Sequence, residues 1–167
     1  MVLLKISSLT GLCILLVIAA VNDWRFRTIE NRVNAAIALL FPLAALAFNM
    51  PWEQFAWHIT TGLVMFLVCA PAFFVGIIGG GDAKMIPAVS LWFGWTSLLP
   101  FLMLMAISGL VLALIVVLIL ALHSEECVER DSMCRQRVST KISVPYAVAI
   151  SVGAIATLPI SWWWYQL

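Results

Sequence analysis

Two aspartates, Asp23 and Asp82, stand where an apolar chain has least reason to hold a charge. Asp82 falls in Gly79-Gly80-Gly81-Asp82-Ala83-Lys84-Met85, between an apolar run over 56–78 and another from Ile86 onward. Asp23 ends the first apolar run and opens Asp23-Trp24-Arg25-Phe26-Arg27-Thr28-Ile29-Glu30-Asn31. Ionisable groups at membrane depth are costly and mark functional sites by default, with a partner nearby. Two carboxylates within hydrogen-bonding reach share one proton, because both cannot ionise side by side. One then acts as base toward a water and the other as acid toward a carbonyl or leaving amine. Three glycines beside such a pair let a peptide backbone approach closely and weaken the local helix, so that an extended substrate can lie against the acids. Placed just ahead of a helix, Asp82 is also expected to cap it. The plain alternative is a loop between spans and an interfacial aspartate among arginines.

The elements that must bring these groups together are membrane helices. Of 167 residues, 64% are hydrophobic and 10% charged, too much apolar surface for a soluble domain to hide. A formal net charge of +1 gives no reason to expect nucleic acid as a partner. Six spans are expected, over 1–21, 33–48, 55–78, 83–95, 98–122 and 144–163, making an all-α polytopic membrane protein. The fourth, about 20 Å of helix, is shorter than a bilayer core of roughly 30 Å and calls for enclosure by protein or local thinning. Pro42 and Pro71 are expected to kink their spans. Gly94-Trp95-Thr96-Ser97 reads as a tight external turn, and Asn49 to Gln54 as another, flanked by Trp52 and Trp57. With the N-terminus outside, eight of the nine Lys and Arg residues fall in the three inner connections and only Lys5 does not. That topology puts both termini outside and Asp23 and Asp82 at the same inner end.

Other chemistry-bearing residues read more plainly. The first run has a small-residue stretch at Val17-Ile18-Ala19, but it is followed by more membrane rather than a soluble domain and is kept as a span. His58 reads as an interfacial residue outside the core rather than a proton relay. Cys127 and Cys134, with His123, lack the short paired spacing of zinc motifs, and with Cys13 and Cys69 they form no disulfide framework. The charged segment 123–143 reads as a solvated inner loop. The Ser161-Trp162-Trp163-Trp164-Tyr165 cluster suits an outer membrane interface and needs no ligand.

Asp23 through Asn31 resembles the first signature of type IV prepilin peptidases, an aspartate followed by basic residues and an Ile-Pro-Asn ending. Gly79 through Met85 is similar to their second, Gly-x-Gly-Asp-x-Lys-Leu, and Val144-Pro145-Tyr146-Ala147-Val148-Ala149-Ile150, followed by Gly153, to the opening of their last span. The resemblance implies a GxGD-type intramembrane aspartic protease core in a bacterial inner membrane. Such an enzyme removes a short basic leader from prepilin or pseudopilin substrates on the cytoplasmic side, usually after a glycine. Asp23 and Asp82 match the catalytic pair. Gly79, Gly81 and Lys84 match the rest of the second motif, and Arg27, Ile29 and Asn31 the rest of the first; Gly80 is counted with them as shaping the site. Glu30 stands where the family has proline, which bears on the local turn, and Met85 replaces leucine. No Cys-x-x-Cys insertion is present, so the chain resembles the small peptidase-only members of tight-adherence (Flp) pilus and secretion systems. It is expected to be one domain over 1–167, without zinc, S-adenosylmethionine or another cofactor. The competing expectations are a membrane carrier that binds a cation or proton at the two carboxylates, and a pilus assembly factor that binds prepilins without cutting them. Against the first, no internal repeat is visible.

Overall fold

The computed structural model describes residues 2–127 and 145–166, apart from the side chains of residues 120 and 122–127. Every described element is helical: α1 Val2–Phe26, α2 Asn31–Ala47, α3 Trp52–Phe74, α4 Gly80–Cys127, α5 Tyr146–Thr157, a 3-10 turn Leu158–Ile160 and α6 Trp162–Tyr165. The segment 128–144 with Cys134, and the side chains of His123 and Cys127, lie outside the described residues, so the inner loop and the cysteine pair expected there are not placed.

Among the described residues, four stretches are long and apolar enough to cross a membrane: Val2–Phe26, Trp52–Phe74, Gly80–Ile119 within α4, and Tyr146–Tyr165; Asn31–Ala47 is a shorter apolar helix. The bundle is apolar on its outside as well as within. Leu110, Val111, Leu114, Ile115, Val117 and Leu118 are all exposed along α4, an exterior that only lipid can solvate. The protein is therefore an all-helical membrane protein.

The long α4 is two arms. Gly94 has φ 57° and ψ −173°, which breaks the helical path and leaves arms over 80–93 and 95–127. That region of backbone space is accessible almost solely to glycine. The tight turn expected over 94–97 is thus concentrated in one residue, with helix resuming at once. A helix end leaves its last carbonyls without intrahelical donors. Here the carbonyls just before the break are met by side chains: His58 Nδ1–H donates to Leu91 O at 2.7 Å, and Trp163 Nε1–H donates to Trp92 O. Trp92 in turn donates to Ile37 O of α2 at 3.1 Å.

Two expectations are corrected by this. His58 is not an interfacial residue outside the core: it is buried, stacked on Phe41 at 5.5 Å and edge-on to Trp163, because its ring supplies the proton the broken helix lacks. Nor is the C-terminal aromatic cluster purely a surface girdle. Trp163 is fully buried, in edge contact with Phe41 and Phe48 and tilted against Trp92, while Trp164 and Tyr165 stay exposed.

α5 is bonded to both α1 and α4: Ser151 Oγ donates to Leu16 O of α1 at 2.8 Å, and Ser108 Oγ of α4 donates to Ala149 O at 2.9 Å. At Gly153 a Cβ would lie 2.7 Å from Met105 Cα, so small residues let α4 and α5 backbones touch. The helix ends also differ from expectation. α1 continues to Phe26, past Asn22, so Asp23 is carried on the helix and not on the connection; α3 stops at Phe74, four residues short of Ile78; and the last span breaks at Leu158–Ile160, where Pro159 cannot donate.

Gly94→Ala is expected to lower stability by about 1–3 kcal/mol, since the new Cβ meets both a forbidden φ and His58 Nε2 at 2.9 Å. Gly109→Ala, whose Cβ would rest in ordinary contact at 3.5 Å from Tyr146, is expected to be tolerated. Thermal unfolding of the two variants in detergent separates these outcomes.

Candidate active site

At the other end of the bundle, α1 must end and the chain must reverse into α2. It does so through Arg27, whose φ of 55° places it in the left-handed region, with Arg27 N–H donating to Asp23 O at 3.0 Å. This is the left-handed helix stop, here adopted by a residue other than glycine. Asp23 is thereby held in the last turn of α1 with its side chain inward, 8% exposed. Its Oδ2 accepts from the Ala147 backbone N–H at 2.9 Å. Ala147 is in the first turn of α5, where amides have no intrahelical acceptor, so helix start and carboxylate satisfy one another.

Glu30, in the family's proline position, adopts φ −65° and ψ 135°. Those are angles at which proline is comfortable, and here the turn forms without it. Its carbonyl accepts from Val33 N and Asn34 N, and α2 starts from there.

The glycine segment reads differently in three dimensions from the loop expected of it. Only Gly79 remains outside the helix; α4 begins at Gly80, and Ala83 N–H donates to Gly79 O at 2.9 Å. Asp82 is therefore in the first turn and not ahead of the helix as a cap, because the helix starts three residues before the span expected from Ala83. A carboxylate in a first turn still faces the positive end of the helix dipole. A Cβ on Gly79 would come within 3.0 Å of Asp82 Oδ2, one on Gly80 within 3.0 Å of the Phe73 ring, and one on Gly81 within 3.1 Å of Ile29. Each glycine leaves space already taken by a neighbour.

A cavity of about 280 Å³ opens between these pieces, lined by Asp23, Arg27, Thr28, Ile29, Gly79, Gly80, Gly81, Asp82 and Tyr146. Asp23 and Asp82, 59 positions apart in sequence, both line it. Of the residues singled out from sequence, Asp23, Asp82, Arg27, Ile29 and the three glycines line it. Lys84 and Asn31 do not: Lys84 Nζ donates to Asn31 Oδ1 at 2.9 Å, tying the first turn of α4 to that of α2 beside the cavity. Tyr146 and the Ala147 amide are site elements that sequence reading had only as the opening of the last span.

A family model described as the type IV leader peptidase family matches residues 10–114. That is more than half of the chain and includes both aspartates and the glycine segment. The chain belongs to the type IV leader peptidase family. Membership implies a protease acting on prepilin-type substrates. The part of this leader peptidase that carries Tyr146 and Ala147 lies beyond the matched residues. No curated protein and no solved structure matches the chain significantly.

Because Gly81 is pressed against Ile29, Gly81→Ala is expected to cost about 1–3 kcal/mol of stability, and adding Ile29→Ala to return part of it. A double-mutant cycle of thermal unfolding checks the coupling.

Proposed function

We propose that this chain is an intramembrane aspartic endopeptidase that removes the basic leader of prepilin- or pseudopilin-like substrates, with Asp23 and Asp82 as its catalytic pair. One observation carries the reading: two carboxylates, held at the ends of different helices, face one cavity in an otherwise apolar bundle. Family membership supports the substrate class.

In the proposed reaction a water enters between the carboxylates. One carboxylate removes its proton as the oxygen attacks the scissile carbonyl carbon, and the other, protonated, gives its proton to the carbonyl oxygen. The tetrahedral gem-diol then collapses: the C–N bond breaks, the nitrogen takes a proton from the pair, and acid and amine products leave. Base and acid are therefore roles of the pair rather than of either residue. The chemistry needs water and no cofactor, neither zinc nor S-adenosylmethionine. Gly79, Gly80 and Gly81 make one wall of the cavity without side chains, which suits an extended substrate backbone. Arg27 also lines the cavity, while Lys84 and Asn31 pair beside it.

The membrane arrangement we infer has six crossings: α1, α2, α3, each arm of α4, and α5 with the helical turns after it. α2, at about 26 Å, has to traverse for the carboxylates of α1 and α4 to meet at one end. That end is placed at the cytoplasmic face of a bacterial inner membrane, where Arg25, Arg27, Arg32 and Lys84 lie, and both termini are outside. The chain is read as one peptidase domain of the small type found with tight-adherence pili.

The test is co-expression with a pilin-like protein bearing a basic leader, a glycine and an apolar helix. Asp23→Asn and Asp82→Asn, made separately, are each expected to slow cleavage on the order of 10²–10⁴-fold, leaving the precursor full length on a gel. Normal processing by both variants would refute the reading.

A further inference from the structure

Asn34 is 5% exposed on α2 and does not line the cavity. Its Nδ2 donates to the carbonyl of Gly81 at 3.3 Å, across to the first turn of α4. A carbonyl cannot donate, so the group facing Gly81 O has to be the NH₂, and this fixes which way the amide lies. Its Oδ1 is consequently turned the other way, where it is buried and finds no hydrogen-bond partner among the described residues. A buried, unpaired amide oxygen costs stability that an apolar side chain of the same shape would not. The chain thus carries a stability penalty in order to keep a donor on Gly81.

The position of that donor gives the reason. Gly81 immediately precedes Asp82, and a helix that starts on two glycines has the least conformational resistance of any start. The turn from which Asp82 projects is closed locally by the Ala83 N–H to Gly79 O bond, across glycines that resist distortion little. Two polar stitches hold it from α2. Asn31 and Asn34, three apart on α2, pair respectively with Lys84 and Gly81, three apart on α4. Residues at that spacing share a helix face, so the first turns of both helices are fastened twice along one line. Ile29, within 3.1 Å of where a Gly81 Cβ would be, blocks Gly81 from moving toward the cavity wall.

We propose that Asn34 is a positioning residue: its carboxamide holds the Gly81 carbonyl so that Asp82 is presented to Asp23 across the cavity. The role rests on the reading of the two aspartates as the catalytic pair, and it assigns the orphaned Oδ1 as the cost of that hold.

The test uses the full chain in detergent and a synthetic peptide with a Lys- and Arg-rich leader, a glycine and the start of an apolar helix. Asn34→Leu keeps the volume and removes both polar atoms. Its melting temperature is expected to equal or exceed that of the parent, while kcat falls about 10- to 100-fold and KM changes by less than about twofold. If leucine is not accommodated, Asn34→Ala is compared with Ile37→Val, which loosens the same helix without touching Gly81. The alanine variant is then expected to lose far more kcat than the valine variant at matched melting temperature. Parental kcat in Asn34→Leu, or equal losses in Asn34→Ala and Ile37→Val, overturns the role while Asp82→Asn remains inactive. Cleavage by Asp82→Asn brings down the peptidase reading itself, and the role of Asn34 with it.

Discussion

Backbone amides and carbonyls left over at helix ends have no water to turn to inside a lipid-facing bundle, and meeting that need organises this protein. Some of the described polar side chains in the interior are spent at these ends. His58 and Trp163 serve the carbonyls before the Gly94 break, Asp23 serves the Ala147 amide at the start of α5, and Asn34 gives Gly81 a second partner. Each of these contacts joins residues far apart in sequence, so satisfying local backbone also fixes the tertiary arrangement.

The two ends of the bundle solve the same problem with different chemistry. At the Gly94 end the partners are aromatic and neutral, and they pack into a cluster of Phe41, Phe48, His58, Trp92 and Trp163. At the other end one partner is a carboxylate, and a second carboxylate starts α4 beside it. A buried aspartate that caps a helix would be a structural residue if it stood alone. With Asp82 on the same cavity it becomes, on the proposed reading, half of an acid–base pair whose orientation is set by the helix it caps.

Packing then decides how tightly that pair is held. The glycines ahead of Asp82 are spaces filled by others: Asp82 itself at Gly79, Phe73 at Gly80 and Ile29 at Gly81. Flexibility that glycine gives the isolated chain is removed by its neighbours in the fold. The expectation that these residues loosen the helix is true of the segment alone and is reversed by contact, since Gly80 and Gly81 are helical and confined.

Much of this was legible in the residues. Apolar runs of bilayer length, the distribution of Lys and Arg, and carboxylates where charge is expensive were enough to expect a helical membrane protein with Asp23 and Asp82 as partners, because burial costs and helix length depend on composition and spacing alone. Gly94 as a turn was legible for the same reason. The burial of His58 and Trp163, the capping of α5 by Asp23, the place of Asp82 inside α4 and the hold of Asn34 on Gly81 were decided only in the tertiary structure. A side chain's partner at a distant helix end has no signature in local sequence: it exists only once two helices have been packed side by side.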